Sequence, residues 1–206
     1  MVDSIDDVML QCWKCANDSA ELHLGRFDPW TISNIIDRNH MYLMNDSKEE
    51  VALKSFLLEC EKMPVGNGKA TARAKILYNL GNCLEKLERY AEEEPVSLEL
   101  AAYGRVIENP IEELRGVVLA ATAQAKLGKE DLAEANYRRS ILLIDKTEAL
   151  GPKSPWAVQQ LGRLEEFLRS VKREEDAETV KTEIKSRLKR HDIDAELDNT
   201  LGGHTD

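Results

Sequence analysis

Aromatic residues make up only 5% of this 206-residue chain, and glycine (11), proline (6), cysteine (4) and histidine (4) are scarce as well. Cations are also in deficit: 28 Lys and Arg stand against 38 Asp and Glu, a formal charge of −10. That deficit excludes a general nucleic-acid binder, which needs excess Lys and Arg to displace the counterions of phosphate. Long apolar runs are missing. The longest stretch without a charge, Gly116 to Ala125, is ten residues, half the roughly 20 that a membrane-crossing helix needs. Residues 1–20 carry Asp3, Asp6 and Asp7 and lack the apolar core of a secretory signal. The four cysteines, Cys12, Cys15, Cys60 and Cys83, are too sparse and irregular for a disulfide framework. The composition therefore predicts a cytoplasmic protein with reduced thiols, a nuclear one being the other compartment that fits. It predicts neither a membrane nor a nucleic acid among the partners.

What is present is a helical pattern. Gly and Pro cluster at Gly25/Pro29, Pro64/Gly66/Gly68, Pro95, Pro110 and Gly151/Pro152/Pro155. Between these clusters apolar residues recur at i, i+3, i+4 and i+7. Leu53, Phe56, Leu57 and Cys60 form one stripe, and Leu77, Leu80, Leu84 and Leu87 the next. Tyr137, Ile141 and Ile144 follow, then Leu161, Leu164, Leu168 and Val171, then Ala177, Val180, Ile184 and Leu188. No stretch alternates β-branched and polar residues as a strand would. The expected class is all-α.

Paired helices of similar length suggest an internal repeat. Pro29-Trp30-Thr31-Ile32 matches Pro155-Trp156-Ala157-Val158 at an offset of 126 residues, three times 42. Two more units fit between them. One opens on Leu77-Tyr78-Asn79-Leu80-Gly81-Asn82. The other opens on Val117-Val118-Leu119-Ala120-Ala121 and continues through Leu127-Gly128 to Ala133. Repeat starts at Ile32, Ala74, Leu114 and Val158 lie 42, 40 and 44 residues apart.

These residues resemble the tetratricopeptide repeat (TPR), in the longer kinesin-light-chain variety. The family pattern asks for a large apolar residue at position 4, Leu-Gly or Ala at 7 and 8, Ala at 20, an aromatic at 24 and Pro at 32. The second unit supplies Leu77, Leu80, Gly81 and, at position 17, Tyr90; the third supplies Val117, Ala120, Ala121, Ala133 and Tyr137. The fourth supplies Leu161, Leu164 and Ala177, and the first Ala52, Phe56 and Pro64, its first helix being one residue out of phase. HEAT and armadillo repeats share the period but do not account for the Leu-Gly and Ala-plus-Tyr placements. The resemblance implies a right-handed α-α superhelix, a solenoid of about four helix pairs over residues 25–190, capped by helices at both ends. Residues 1–24, with Ile5, Val8, Cys12 and Ala16 on one face, read as the N-terminal cap, and 191–206 as a disordered acidic tail. Tyr90 to Tyr103 spans 13 residues where the family has seven, so an insertion or a helix extension is expected at residues 91–96. Residues 146–154 read as a long polar connector.

No catalytic signature appears. Cys12-Trp13-Lys14-Cys15 has the C-x-x-C spacing, but it lies within a helical pattern and no second pair completes a zinc site. Gly66-Asn67-Gly68-Lys69-Ala70 lacks the first glycine and the hydroxyl of a phosphate loop, and reads as a solvated inter-repeat turn. Glu92-Glu93-Glu94 and Glu174-Glu175-Asp176 read as solvated faces early in helices, where negative charge suits the helix dipole. Neither an enzyme nor a cofactor is expected.

The resemblance implies a concave face built from positions 2, 5, 9, 12 and 13 of each first helix. In the last three units these hold five cations (Lys75, Lys86, Arg115, Lys126, Arg169) and two anions (Glu85, Glu166), opposite in sign to the chain as a whole. The expected function is a protein–protein interaction adaptor or scaffold that holds an acidic or C-terminal peptide, or a partner helix, in this groove. Its anchors would be Lys75, Tyr78, Asn82, Lys86, Arg115, Thr122, Lys126 and Arg169. The chaperone carboxylate clamp of the family is not matched, since only Asn79 and, in charge, Arg115 fit it. Two other readings stay open. One is a chaperone for basic proteins such as histones, using the acidic outer surface and residues 92–94. The other is a structural subunit that dimerises or docks on a larger assembly.

Overall fold

A computed structural model shows an all-α protein. The structure describes residues 46–62, 67–148, 150–152 and 154–201. The expected N-terminal cap, the first helix of the first repeat and Cys12 and Cys15 lie outside the described residues. Within them run seven helices and no strand. They are α1 (Asp46–Lys62), α2 (Asn67–Lys86), α3 (Tyr90–Val106), α4 (Pro110–Lys126), α5 (Glu130–Lys146), α6 (Pro155–Ser170) and α7 (Glu174–Leu201). Contacts divide the chain into two compact units, 1–119 and 120–206, with the boundary inside α4. No described helix is long and apolar enough to cross a membrane.

Three-residue turns join most of the helices, and they share one geometry. Glu88, Glu108, Gly128 and Lys172 all adopt left-handed φ, between 53° and 69°. At each, the following amide donates back across the turn: Arg89 to the Leu84 carbonyl, Asn109 to Gly104, Lys129 to Gln124 and Arg173 to Leu168, at 2.8–2.9 Å. This is the Schellman closure, which satisfies carbonyls that a helix end leaves without partners. In these turns the first three left-handed residues are 20 apart and Lys172 follows 44 later; Gly151, in the longer connection between α5 and α6, is left-handed as well. Acidic first turns and basic last turns complement the dipole of α3, α4 and α5. Asn109 caps α4 through its Oδ1, and Ser154 caps α6 ahead of Pro155.

In the N-terminal unit, Leu53, Phe56 and Cys60 of α1 pack on Ala72, Ile76, Leu80, Cys83 and Leu84 of α2. Ala74 and Leu77 of α2 meet Leu100 of α3. Backbones of α3 and α4 approach so closely that a Cβ at Gly104 would lie 2.2 Å from the Glu113 nitrogen, and one at Gly116 2.3 Å from that of Ala101. In the C-terminal unit, the core joins Ala121 of α4, Ala133, Tyr137 and Ile141 of α5, Leu161, Leu164, Phe167 and Leu168 of α6, and Ala177 and Val180 of α7. The Tyr137 and Phe167 rings meet at a tilt of 40°, with centroids 5.5 Å apart. Arg187 of α7, nearly buried, forks onto Asp145 of α5 at 2.7 and 2.9 Å and bonds Glu183 and the Pro152 carbonyl.

Four sequence expectations change. Residues 91–96 are continuous helix and α3 has the same 17 residues as α5, so there is neither an insertion nor an extension: Ser97, seven residues after Tyr90, stands at the aromatic position, and Tyr103 lies beyond it. α2 starts at Asn67, so Gly68 and Lys69 are helical; Lys69 caps the preceding helix by donating to the Glu61 carbonyl at 2.7 Å. Backbone helix continues from residue 191 to Leu201, where a disordered tail was expected. No Pro or Gly interrupts it before Gly202-Gly203. Glu93 is fully buried, not solvated. Glu93 shares the inward face of α3 with buried Ser97, Leu100, Ala101 and Gly104, at i+4, i+7, i+8 and i+11.

Candidate peptide-binding face

On α2, Lys75, Tyr78, Asn82 and Lys86 follow one another at intervals of three, four and four, and therefore share one face. Tyr78 and Asn82 are partly buried, and Lys86 is exposed. Asn82 Nδ2 donates to the Tyr78 carbonyl at 2.8 Å, and Asn79 Nδ2 to that of Lys75 at 3.0 Å. Each asparagine thus spends an amide hydrogen on its own helix. Arg115 reaches across from α4 and lays its guanidinium 4.7 Å from the centre of the Tyr78 ring, while its Nη1 donates to Glu112 Oε1 at 2.7 Å. The ring and Glu112 together fix the planar cation in a half-exposed position, presenting an aromatic edge beside an oriented charge. Five of the eight expected anchors therefore lie on two helices of one unit, and two of them touch.

The other three lie in the C-terminal unit. Thr122 and Lys126 sit one turn apart on α4, Lys126 exposed and without an ion pair among the described residues. Arg169 is heavily engaged: Glu165, Glu174 and Glu178 all accept from it, the last two at 2.6 and 2.5 Å. The Arg169 bond, ahead of the influence of Lys181, holds the Glu178 carboxyl below its ordinary value. Arg169 thus ties α6 to α7, and its charge is already balanced. The sign inversion read from position counting includes this cation and Arg115, both of which have local carboxylate partners. Around Gly162 the α6 face is open, since a Cβ there would meet nothing within 4 Å.

Some polar arrangements had no counterpart in the sequence reading. Arg73 of α2 pairs with Glu61 and Glu99 and lies over the Tyr103 ring at 5.6 Å, beside an open depression of about 340 Å³ that also involves Lys69, Ala102 and Val106. Its own cations are paired across it. Cys60 and Cys83 are buried and form no disulfide, and burial pushes the Cys60 thiol up. Among the described residues no cluster of His, Cys, Asp or Glu could hold a metal. The chain matches no known family model and no curated protein by sequence.

Proposed function

We propose that the chain is a TPR-like helical repeat protein that acts as a protein–protein interaction adaptor, holding an acidic or C-terminal peptide of a partner. The repeat reading draws support from the recurring left-handed turns at Glu88, Gly128 and Lys172, whose spacings of 40 and 44 residues equal those between the repeat starts at Ala74, Leu114 and Val158. The single observation that carries the functional reading is the Arg115–Tyr78 stack beside Lys75, Asn82 and Lys86. A guanidinium held over an aromatic ring and bonded to Glu112 is positioned before a carboxylate arrives, which lowers the ordering cost of binding. Arg169 is left out of the anchor set because three carboxylates already occupy it.

An array of acidic peptides with free carboxyl termini, probed with the wild-type chain and with Lys75→Glu/Arg115→Glu, tests the reading. Wild-type binding to a subset of peptides, with at least tenfold weaker binding by a double variant of unchanged circular dichroism, is expected; equal binding by both chains would refute it.

A second reading, a subunit that dimerises or docks on a larger assembly, is favoured by one observation. Pro95, Leu98, Ala102 and Val106 form an exposed apolar stripe on α3, with Val106 79% exposed. Under this reading Leu98→Glu/Val106→Glu shifts the mass measured by light scattering towards the monomer; an unchanged mass would remove the self-association form.

A further inference from the structure

Glu93 is the most anomalous group in the N-terminal unit. It lies five residues after the left-handed Glu88, as Ala133 lies five after Gly128 and Ala177 five after Lys172. All three side chains are fully buried. One turn further on, fully buried Ser97 occupies the place that Tyr137 holds in the C-terminal unit. At these two positions α3 carries an acid and a hydroxyl where α5 carries a small residue and an aromatic. Among the described residues, neither carboxylate oxygen of Glu93 has a hydrogen-bond partner, and nor does Ser97 Oγ.

Among the described residues the surroundings offer no countercharge. Arg89, at the turn before α3, is committed to Glu50 and Glu92, and Lys54 of α1 to Glu50 at 2.5 Å with Glu92 at 4.0 Å. α2 brings Glu85, of the same sign. The charged residues of α4 within this unit are Glu112, Glu113 and Arg115. Glu113 lies against Gly104, about three turns along α3 from Glu93. Glu112 pairs with Arg115 at 2.7 Å, and Glu113 with Arg105 at 3.7 Å. At Gly81 of α2, an added Cβ would lie 2.9 Å from Leu119 and 3.5 Å from Ser97 Oγ, so the packing leaves little slack. A lone buried carboxylate is costly enough that the group keeps its proton instead. Burial first, and Glu85 second, push the Glu93 pKa up to about 8.

We propose that Glu93 is a proton-dependent latch of the N-terminal unit: with its proton it lets α3 close on α2, and without it α3 is driven open, while the alanine-bearing C-terminal unit does not respond. The folded group binds its proton more tightly than the unfolded one. Stability is therefore full below about pH 4.5, falls as the pH rises to about 8, and is level beyond that. The open population rises roughly ninefold from pH 6 to 7 and roughly fivefold from pH 7 to 8, so the response is steepest near pH 6 and weakens towards pH 8.

Hydrogen exchange of the full chain, followed by mass spectrometry from pH 5.5 to 8 and corrected for intrinsic amide rates, tests the latch. This window stays below the range in which the Cys60 thiol, pushed up by burial, ionises. In wild type, protection of α3 amides is expected to fall on the order of a hundredfold, with α5 and α6 unchanged. In Glu93→Gln the α3 fall is expected to disappear. Glu93→Ala, which introduces the residue found at the two equivalent positions, is expected to be equally flat and serves if the glutamine variant does not fold. Constant α3 protection in wild type, or the same fall in the variants, would overturn the proposal.

Discussion

At the scale of single residues, glycines separate tight from open places. Gly104 and Gly116 face backbone atoms at 2.2–2.3 Å from where a Cβ would stand, whereas Gly162 faces nothing. Gly116→Ala is expected to cost about 1–3 kcal/mol or more, because helices α3 and α4 must move apart. Gly162→Ala is expected to add about 0.5–1 kcal/mol through helix propensity alone. Thermal melts of the two variants check this, and equal effects would mean that the close approach of α3 and α4 carries no weight. Neither role was readable beforehand, since a glycine inside a helical pattern carries no sign of what faces it. Glu93 was hidden for a related reason. The aromatic rings of Tyr90 and Tyr103 draw attention to an irregular spacing, while the residues that occupy the small and aromatic positions of that unit are an acid and a serine.

At the scale of elements, the turns are the regular feature. In the four three-residue turns the left-handed position carries a side chain at Glu88, Glu108 and Lys172 and is glycine at Gly128. A non-glycine residue in this region costs about 1 kcal/mol. Glu88→Gly and Lys172→Gly are each expected to stabilise the chain by about 0.5–1 kcal/mol, and Gly128→Ala to destabilise it by about 1 kcal/mol. Chemical denaturation of the three variants measures these effects, and a destabilised Lys172→Gly would contradict the shared geometry. The helices themselves were legible from their stripes: Leu77, Leu80 and Leu84, and Leu161, Leu164 and Leu168, are all buried. Ala133, Tyr137 and Ala177 also fall in the core at the places the repeat pattern gives them. The limits of α2 and α7 were less legible, because helix extends past a pattern wherever no Pro or Gly stops it.

At the scale of the whole molecule, ion pairs and the buried acid pull stability in opposite directions along the pH axis. Burial raises Glu134, but bonds from Arg173 and Arg138 outweigh it and hold the carboxyl below its ordinary value; the Lys54 bond does the same for Glu50 against burial. Such groups contribute stability that is present above about pH 4.5 and lost as the pH falls through their lowered values. Glu93 acts in the other direction between about pH 4.5 and 8.

Net charge was a poor guide to the candidate face for a related reason. Counting signs by position cannot tell that Arg169 is balanced by Glu165, Glu174 and Glu178 while Arg115 is held over Tyr78. Those partners come from helices and turns that position counting does not relate. The most direct test of an acid-binding face is an amide NMR titration of the whole chain with an acidic peptide bearing a free carboxyl terminus. Saturable shifts are expected at Lys75, Tyr78, Asn82, Lys86 and Arg115, weakened by salt and absent around Arg169. Shifts confined to the Pro95–Val106 stripe, or no shift at any residue of α2, would contradict that expectation.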